Sequence, residues 1–547
     1  MPVPGLFLQT ERSLGVALPS RADVALFAGL VARRTGRNGA PTPIPTPILD
    51  GFREAGWMTS SWSAPRTARP PQQIEALLDL PVPIERWEDF DALFAWNGRL
   101  VEDGGSARIP SHLGAAVRSF FAEGGRKCYV LRCGDPPPVL GGPDRAGRGR
   151  LLSWAASAPP DDAGQRVPIL PGLAKRGNAP SPTEPTTWHG AAHLFGLGDV
   201  ALLSLPDLPE LAAPDPASLP PPVPPPRPPE AFAACAASIG PIGPPALRPA
   251  VTAPRLDEEG YRIWAEAIQF TLGLLRAPGG SAHRRDVQFI AALPLALHQK
   301  GSTPLDVLEM TDASGIQFRF SAAIGSALLQ LAYPWVVTEG SATMPEGLEA
   351  PDGAMAGLIA RSALLNGAFR SVAGQRFATV TATRPLLSRS DLLRALPEGK
   401  ADWLGDRVSL IAPRGEDFIA LSDATMSDDP AWRAGGVSRL MGIILRAGRF
   451  LGTDLVFEAS GEALWARLRR TLEQFLTELW SLGALDGASP AEAFEVRCDR
   501  STMTQADIDQ GRVIARVAVT AAQPVERITV SLALGGAGGL VPSVEAA

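Results

Sequence analysis

Only three tyrosines, five histidines and four cysteines occur in 547 residues, and these shortages narrow the chemistry open to the chain. Cys128 and Cys133 are the sole near neighbours among Cys128, Cys133, Cys235 and Cys498. One loose pair without a second is a poor zinc framework, so free thiols in a reducing compartment are expected. Long apolar runs are missing too. The best candidate, Ser326–Val337, contains Pro334 and falls short of the roughly 18 residues that span a bilayer. The first residues show no basic stretch followed by an apolar one, which excludes a signal peptide and points to a soluble chain assembled in the cytoplasm, without direct membrane insertion. A basic surplus is absent as well. The net charge is −6 and the pI near 5.6, which argues against a nucleic-acid partner.

What is abundant is proline and glycine, 54 and 55 residues, well above ordinary usage. Apolar residues make up 45%, an ordinary globular share. A chain of this length exceeds one hydrophobic core, so about two to four domains are expected.

Punctuation by proline and glycine divides the chain. Residues 1–20 read as an extended arm around Leu6, Phe7 and Leu8. The apolar run Asp23–Val31 fits a buried strand, and a Pro/Gly/Thr-rich loop follows from Arg33 to Pro47. Trp87, Phe90 and Phe94 recur at helical spacing; His112–Phe121 is a second helix, stopped by Gly124 and Gly125, before a strand from Lys127 to Cys133. This first core part covers 21–133, and residues 134–188 read as an insertion.

A middle domain over 189–380 begins with a short helix and a strand at Val200–Leu205. Residues 206–254 are dominated by proline and suit a semi-rigid surface spacer. A helix from Asp257 to Leu275, a strand at Val287–Leu293, a helix over Ser321–Ala332 and another at Ala354–Leu365 complete it. Strands alternating with helices predict a parallel α/β sheet.

A C-terminal domain over 381–524 is patterned separately. It has helices at Val437–Leu451 and Leu464–Leu482, then strands at Phe494–Asp499 and Val513–Val519. Leu464, Leu468, Leu472, Phe475 and Leu479 form one stripe of the second helix. Residues 525–547 form an arm in which Ile528, Val530, Leu532 and Leu534 alternate, followed by a glycine-rich tail. By itself such a strand is expected to fold back on its own domain.

Catalytic signatures fail one by one. His189 and His193 have helical ligand spacing but no accompanying glutamate, so a partly exposed pair at a helix start is expected. The glycines after Gly196 precede a strand instead of following one, and the Gly172–Gly177 spacing lacks the Lys-Ser/Thr that contacts phosphate. No nucleophile elbow occurs. No catalytic residue, metal or cofactor is assigned.

Longer motifs point elsewhere. Leu464–Leu485 resembles the long C-terminal helix of contractile tail sheath proteins, found in phage tails and contractile injection systems. Its continuation, Ala491–Arg512, resembles their signature through Cys498, Asp499, Thr502, Ile508, Asp509, Gly511 and Arg512. Weaker likenesses follow in order: Met1–Arg34, Arg86–Phe94, His112–Arg132, Tyr333–Trp335 and Ala354–Gly374. The loop after Arg34, residues 134–188, the proline tract and the tail after Leu534 depart from the family pattern.

The resemblance implies a multidomain α/β and α+β protein. Its middle domain would be subtilisin-like without the catalytic triad, joined to an α+β C-terminal sheath domain with extended N- and C-terminal arms. It implies a structural, non-enzymatic subunit that forms a helical homo-oligomer around an inner tube protein, with baseplate and cap proteins as further partners. It also implies that Leu6–Leu8 and Ile528–Leu534 add strands to neighbouring subunits, reversing the fold-back expectation. A specialised baseplate- or cap-proximal sheath paralogue is the alternative, and an α/β-hydrolase-like enzyme a distant one.

Overall fold

Ala25–Gly29 is buried at every position, because both faces of the strand are covered. The computed structural model describes residues 22–59, 65–153, 166–173, 180–215, 251–277, 283–297, 324–387, 404–455, 461–522, 528–535 and 539–545. Leu6, Phe7, Leu8, Cys235 and most of the proline tract lie outside them.

Eight strands build the main sheet: β1 (Ala25–Gly29), β2 (Pro81–Ile84), β3 (Cys128–Arg132), β4 (Leu202–Ser204), β5 (Gln288–Ala292), β6 (Leu329–Tyr333), β7 (Ser409–Arg414) and β8 (Asp417–Ala420). Their order is β8-β7-β6-β5-β4-β1-β3-β2. The six inner strands run parallel, and β8 and β2 close the two edges antiparallel. The sheet therefore draws strands from both sides of the expected boundaries at residues 133, 188 and 380.

Side chains alternate between two cores, as the period of a strand requires. Leu26, Leu131, Leu203, Phe289 and Leu331 enter one core, with Tyr261, Trp264 and Ile268 of α3 (Glu258–Arg276). Phe27, Val130, Leu202, Ile290 and Ala332 enter the other, covered by α2 (His112–Ala122) and α4 (Asp352–Leu365). Helix α1 (Trp87–Leu93) packs beside them through Phe90. Helices on both faces of a mostly parallel sheet give a three-layer α/β body.

Helices α2 and α4 touch closely because glycine permits it. A Cβ at Gly353 would stand 2.4 Å from the Ala116 carbonyl oxygen. Ser111 caps α2 by accepting from the Gly114 amide, and Gly124 adopts φ +109 just beyond the helix, the stop that the sequence signals.

Three expectations change. The apolar run ending at Ala332 is no helix: Leu329–Tyr333 is a strand, buried throughout and parallel to β5. Residues 134–188 are not all excursion. Leu151, Leu152, Ile169 and Leu170 join the first core, and Arg145–Leu152 is helical. The tail after Leu534 contains the strand Gly539–Glu545.

The third core belongs to the C-terminal part. Helices α5 (Gly435–Leu455) and α6 (Glu462–Ser481) pack there with β9 (Phe494–Arg497) and β10 (Val513–Val519). The stripe Leu464, Leu468, Leu472, Phe475 and Leu479 is buried as its spacing predicts. Strands β11 (Ile528–Gly535) and β12 (Gly539–Glu545) complete a four-stranded antiparallel sheet in the order β9-β10-β11-β12.

Candidate assembly site in the C-terminal domain

The signature residues form one turn between β9 and β10. Cys498, at the end of β9, is buried in the third core, and burial pushes its thiol up to about 11. Such a thiol is a packing group and not a nucleophile. Asp499 accepts from the Ser501 amide at 2.7 Å, and hydrogen bonding from the Ser501 side chain, with that amide, holds the exposed carboxylate below its usual range. Thr502 Oγ1 accepts from the Asp499 amide at 3.3 Å and lies 2.7 Å from the Ile514 carbonyl, tying the turn to β10.

A short helix, Gln505–Asp509, follows with a full capping box. Thr504 and Asp507 satisfy each other's backbone amides. Ile508 packs on the third core, and Asp509 accepts from Gln505 at 2.8 Å. Arg512 pairs with Asp507 at 2.6 Å. Gly511 has φ +68, the left-handed region that glycine enters without a steric penalty. Together the seven residues reverse the chain and fix where β10 begins.

That start sets the register for what pairs next. Val513, Ala515, Val517 and Val519 stand opposite Leu534, Leu532, Val530 and Ile528. Within a single chain, the alternating arm residues therefore lie along their own β10. A groove of about 350 Å3 beside the turn is lined by Trp465, Arg469, Cys498 and Arg500 among others.

A second feature escaped sequence reasoning. Helix α5 is fastened to the main sheet by buried and partly buried charges. Arg439 grips Asp423 through two contacts, at 3.1 and 2.6 Å, while Arg449 reaches both oxygens of Asp286 at 3.1 and 2.8 Å. Arg284 also contacts Asp286, and Arg446 donates to its carbonyl at 2.7 Å. Burial raises the two carboxyl groups, but the arginines outweigh it and leave both below the ordinary range. In sequence these are scattered charges. Their one signal was the recurrence of Arg439 and Arg446 seven residues apart on one helix face.

Ser204, at the C-terminal end of β4, donates to Asp352 at 2.6 Å, whereas His112 pairs with Glu210 at 3.3 Å. His189 and His193 both bind Asp79, at 2.6 and 3.1 Å, and His193 is buried instead of partly exposed. Their segment is a 3-10 helix, Gly190–Gly196. Among the described residues no group of three His, Cys, Asp or Glu is arranged to hold a metal, and no helix is long and apolar enough to cross a membrane.

The sequence profile of the phage tail sheath C-terminal domain matches residues 427–534, which contain α5, α6, the signature turn and β11 up to Leu534. No curated protein matches the chain by sequence. Solved structures do. A chain of the anti-feeding prophage baseplate superposes with TM-score 0.52 at 17% identity, covering 96% of this chain and 97% of that one. A chain of the contracted anti-feeding prophage helical sheath gives 0.51 at 18% identity, with the same coverages. The contracted anti-feeding prophage baseplate gives 0.51 at 16%, covering 96% and 95%. The fold is therefore that of contractile tail sheath proteins. Residues 427–534 carry the likeness to the phage tail sheath C-terminal domain.

Proposed function

We propose that this protein is a structural sheath subunit of a contractile injection system or phage-like tail. It polymerises helically around an inner tube and contracts to drive that tube through a target envelope. One observation supports this above all: a chain with the sheath fold carries the sheath C-terminal domain, and that domain ends in strands joined to β10 through a proline-containing link. Strands attached through such a link are suited to exchange between copies.

In this reading the three-layer body is a subtilisin-like layer that performs no catalysis. Leu6–Leu8 and Ile528–Leu534 are arms donated to neighbouring subunits, and baseplate and cap proteins meet the ends of the helix. Assembly occurs in the cytoplasm, as part of a phage-like particle. A head-to-tail contact that does not close generates an open helix. Contraction is a rigid-body rearrangement of subunits, driven by newly buried surface at about 25 cal/mol per Å2. The buried Arg439–Asp423 pair and the partly buried Arg449–Asp286 pair favour movement of the two domains as one body.

The likeness to a chain of a baseplate structure favours a second reading, a sheath paralogue forming only the ring next to the baseplate. Electron microscopy of the purified protein separates the two. Long striated tubes support the main sheath, and single rings on a baseplate support the paralogue. Covalent labelling by a serine-reactive fluorophosphonate would contradict the non-enzymatic role.

A further inference from the structure

The seam between α5 and the main sheet carries a surplus of positive charge. Arg284 and Arg285 lead into β5, while Arg439, Arg446 and Arg449 belong to α5. The carboxylates that answer them, Asp286 and Asp423, are already engaged. Asp286 accepts from Arg284 and Arg449, and Asp423 from Arg439, Gln330 and the Val372 amide. Asp199, further along, pairs with Lys127 at 2.8 Å. Even with Asp23 counted, next in the chain to the seam residue Ala22, arginines outnumber carboxylates here.

At the N-terminal ends of β4 and β5 the seam holds a cavity of about 10 Å3, lined by Leu202, Arg285, Gln288, Ser438, Arg439 and Arg446 among others. Three of these residues carry buried nitrogen donors that meet no acceptor among the described residues: Arg285 Nε, Arg446 Nε and Gln288 Nε2. Gln288 and Arg446 are only 3% and 6% exposed. Their remaining polar atoms fix them in place. Gln288 Oε1 accepts from Arg439 at 3.4 Å, and Arg446 donates to the Asp286 carbonyl at 2.7 Å. Burial pushes Arg446 down to about 10; Asp286 opposes this, and Arg284 and Arg449 add to it. Buried donors without acceptors are costly, and a space of this size takes one small particle. A water there would accept from two donors and bring two hydrogens needing acceptors of their own. A monatomic anion accepts from several donors, donates nothing and offsets the surplus charge. We infer that this cavity is a binding site for a halide ion, with Gln288, Arg285 and Arg446 as its donors. The ion completes the fastening of α5 to the sheet, so the hold between the C-terminal domain and the main body tightens with chloride concentration.

Thermal unfolding of the full-length free subunit tests this at constant ionic strength. Sodium gluconate, whose anion is far too large for the cavity, is replaced stepwise by sodium chloride or sodium bromide up to about 0.5 M. A ligand that binds only the folded state raises the midpoint with the logarithm of its concentration once its dissociation constant is exceeded. Either halide is expected to raise the midpoint by at least about 2 °C. Equal midpoints in gluconate and halide would overturn the site and leave at most a buried water. Gln288→Glu separates the site from general salt effects, because it sets a fixed carboxylate among the same arginines. That variant should unfold at a higher temperature than the parent in gluconate and should lose the halide response. A response that survives unchanged in Gln288→Glu places the effect elsewhere and overturns the proposal. A second measurement uses the unaltered protein. Crystals soaked in bromide should show an anomalous peak between Gln288 Nε2 and Arg446 Nε, and no peak in that cavity would contradict the site.

Discussion

Arg439 and Asp423 face each other across the seam between α5 and the main sheet, both guanidinium nitrogens on both carboxylate oxygens and both residues buried. Asp423 also accepts from the Val372 amide at 3.0 Å and from Gln330 at 3.0 Å, while Arg439 donates to the Ala368 and Arg370 carbonyls. A pair so fully hydrogen-bonded meets the condition under which buried charges are tolerated.

Removing one partner should therefore be costly. Arg439→Ala leaves a buried, uncompensated carboxylate and is expected to destabilise the subunit by about 3–5 kcal/mol. Chemical denaturation would show this as a lower midpoint. Arg439→Met with Asp423→Asn, which leaves no buried charge, should recover a large part of the loss. A neutral Arg439→Ala would contradict the clamp.

Stability should depend on pH in two opposite ways. Asp286 and Asp423 have folded pKa values depressed by their arginines, against the effect of burial. Their stabilisation is present above the unfolded carboxyl pKa, near 4, and is lost as pH falls through the lower folded values. Glu349 behaves in the reverse sense. Burial pushes it up to about 7, although Ser119 and Thr338 donate to one oxygen. Its folded form binds a proton that its unfolded form has released, so it lowers stability progressively between about pH 4 and pH 7. Glu349→Gln should accordingly raise the thermal midpoint at pH 8 more than at pH 5, with a difference of roughly 1–3 kcal/mol. Equal shifts at both pH values would contradict the assignment.

The signature turn should matter through β10. Gly511→Val places a β-branched residue at φ +68, where L side chains lose about 1–2 kcal/mol. Thr502→Val removes the hydroxyl that lies on the Ile514 carbonyl, a loss of about 1–3 kcal/mol. Both variants should lower the thermal midpoint and the yield of assembled sheath together. Normal assembly with a lowered midpoint would separate the turn from the assembly site.

Much of this was legible in the residues, for reasons that also explain what was not. The α6 stripe has one wet face and one dry one, so its period is plain: Leu468 and Leu472 are buried while Arg469 and Glu473 are exposed. Leu329–Tyr333 has no wet face. A parallel strand covered on both sides is a continuous apolar run, and the alanines before it extend that run to helical length. Asp286 and Asp423 were invisible because charged residues are exposed by default, and only the fold brings each to its arginine. The strand after Gly538 was hidden by the glycines beside it and by Pro542, which is compatible with a strand only at an edge.

The most direct test is negative-stain electron microscopy of the full-length protein beside a variant lacking residues 525–547, each produced alone and with its tube partner. The full-length protein should form hollow striated tubes of uniform width, and the truncated one should remain folded by circular dichroism yet form none. Tubes of normal width and length from the truncated protein would contradict assembly through the C-terminal arm.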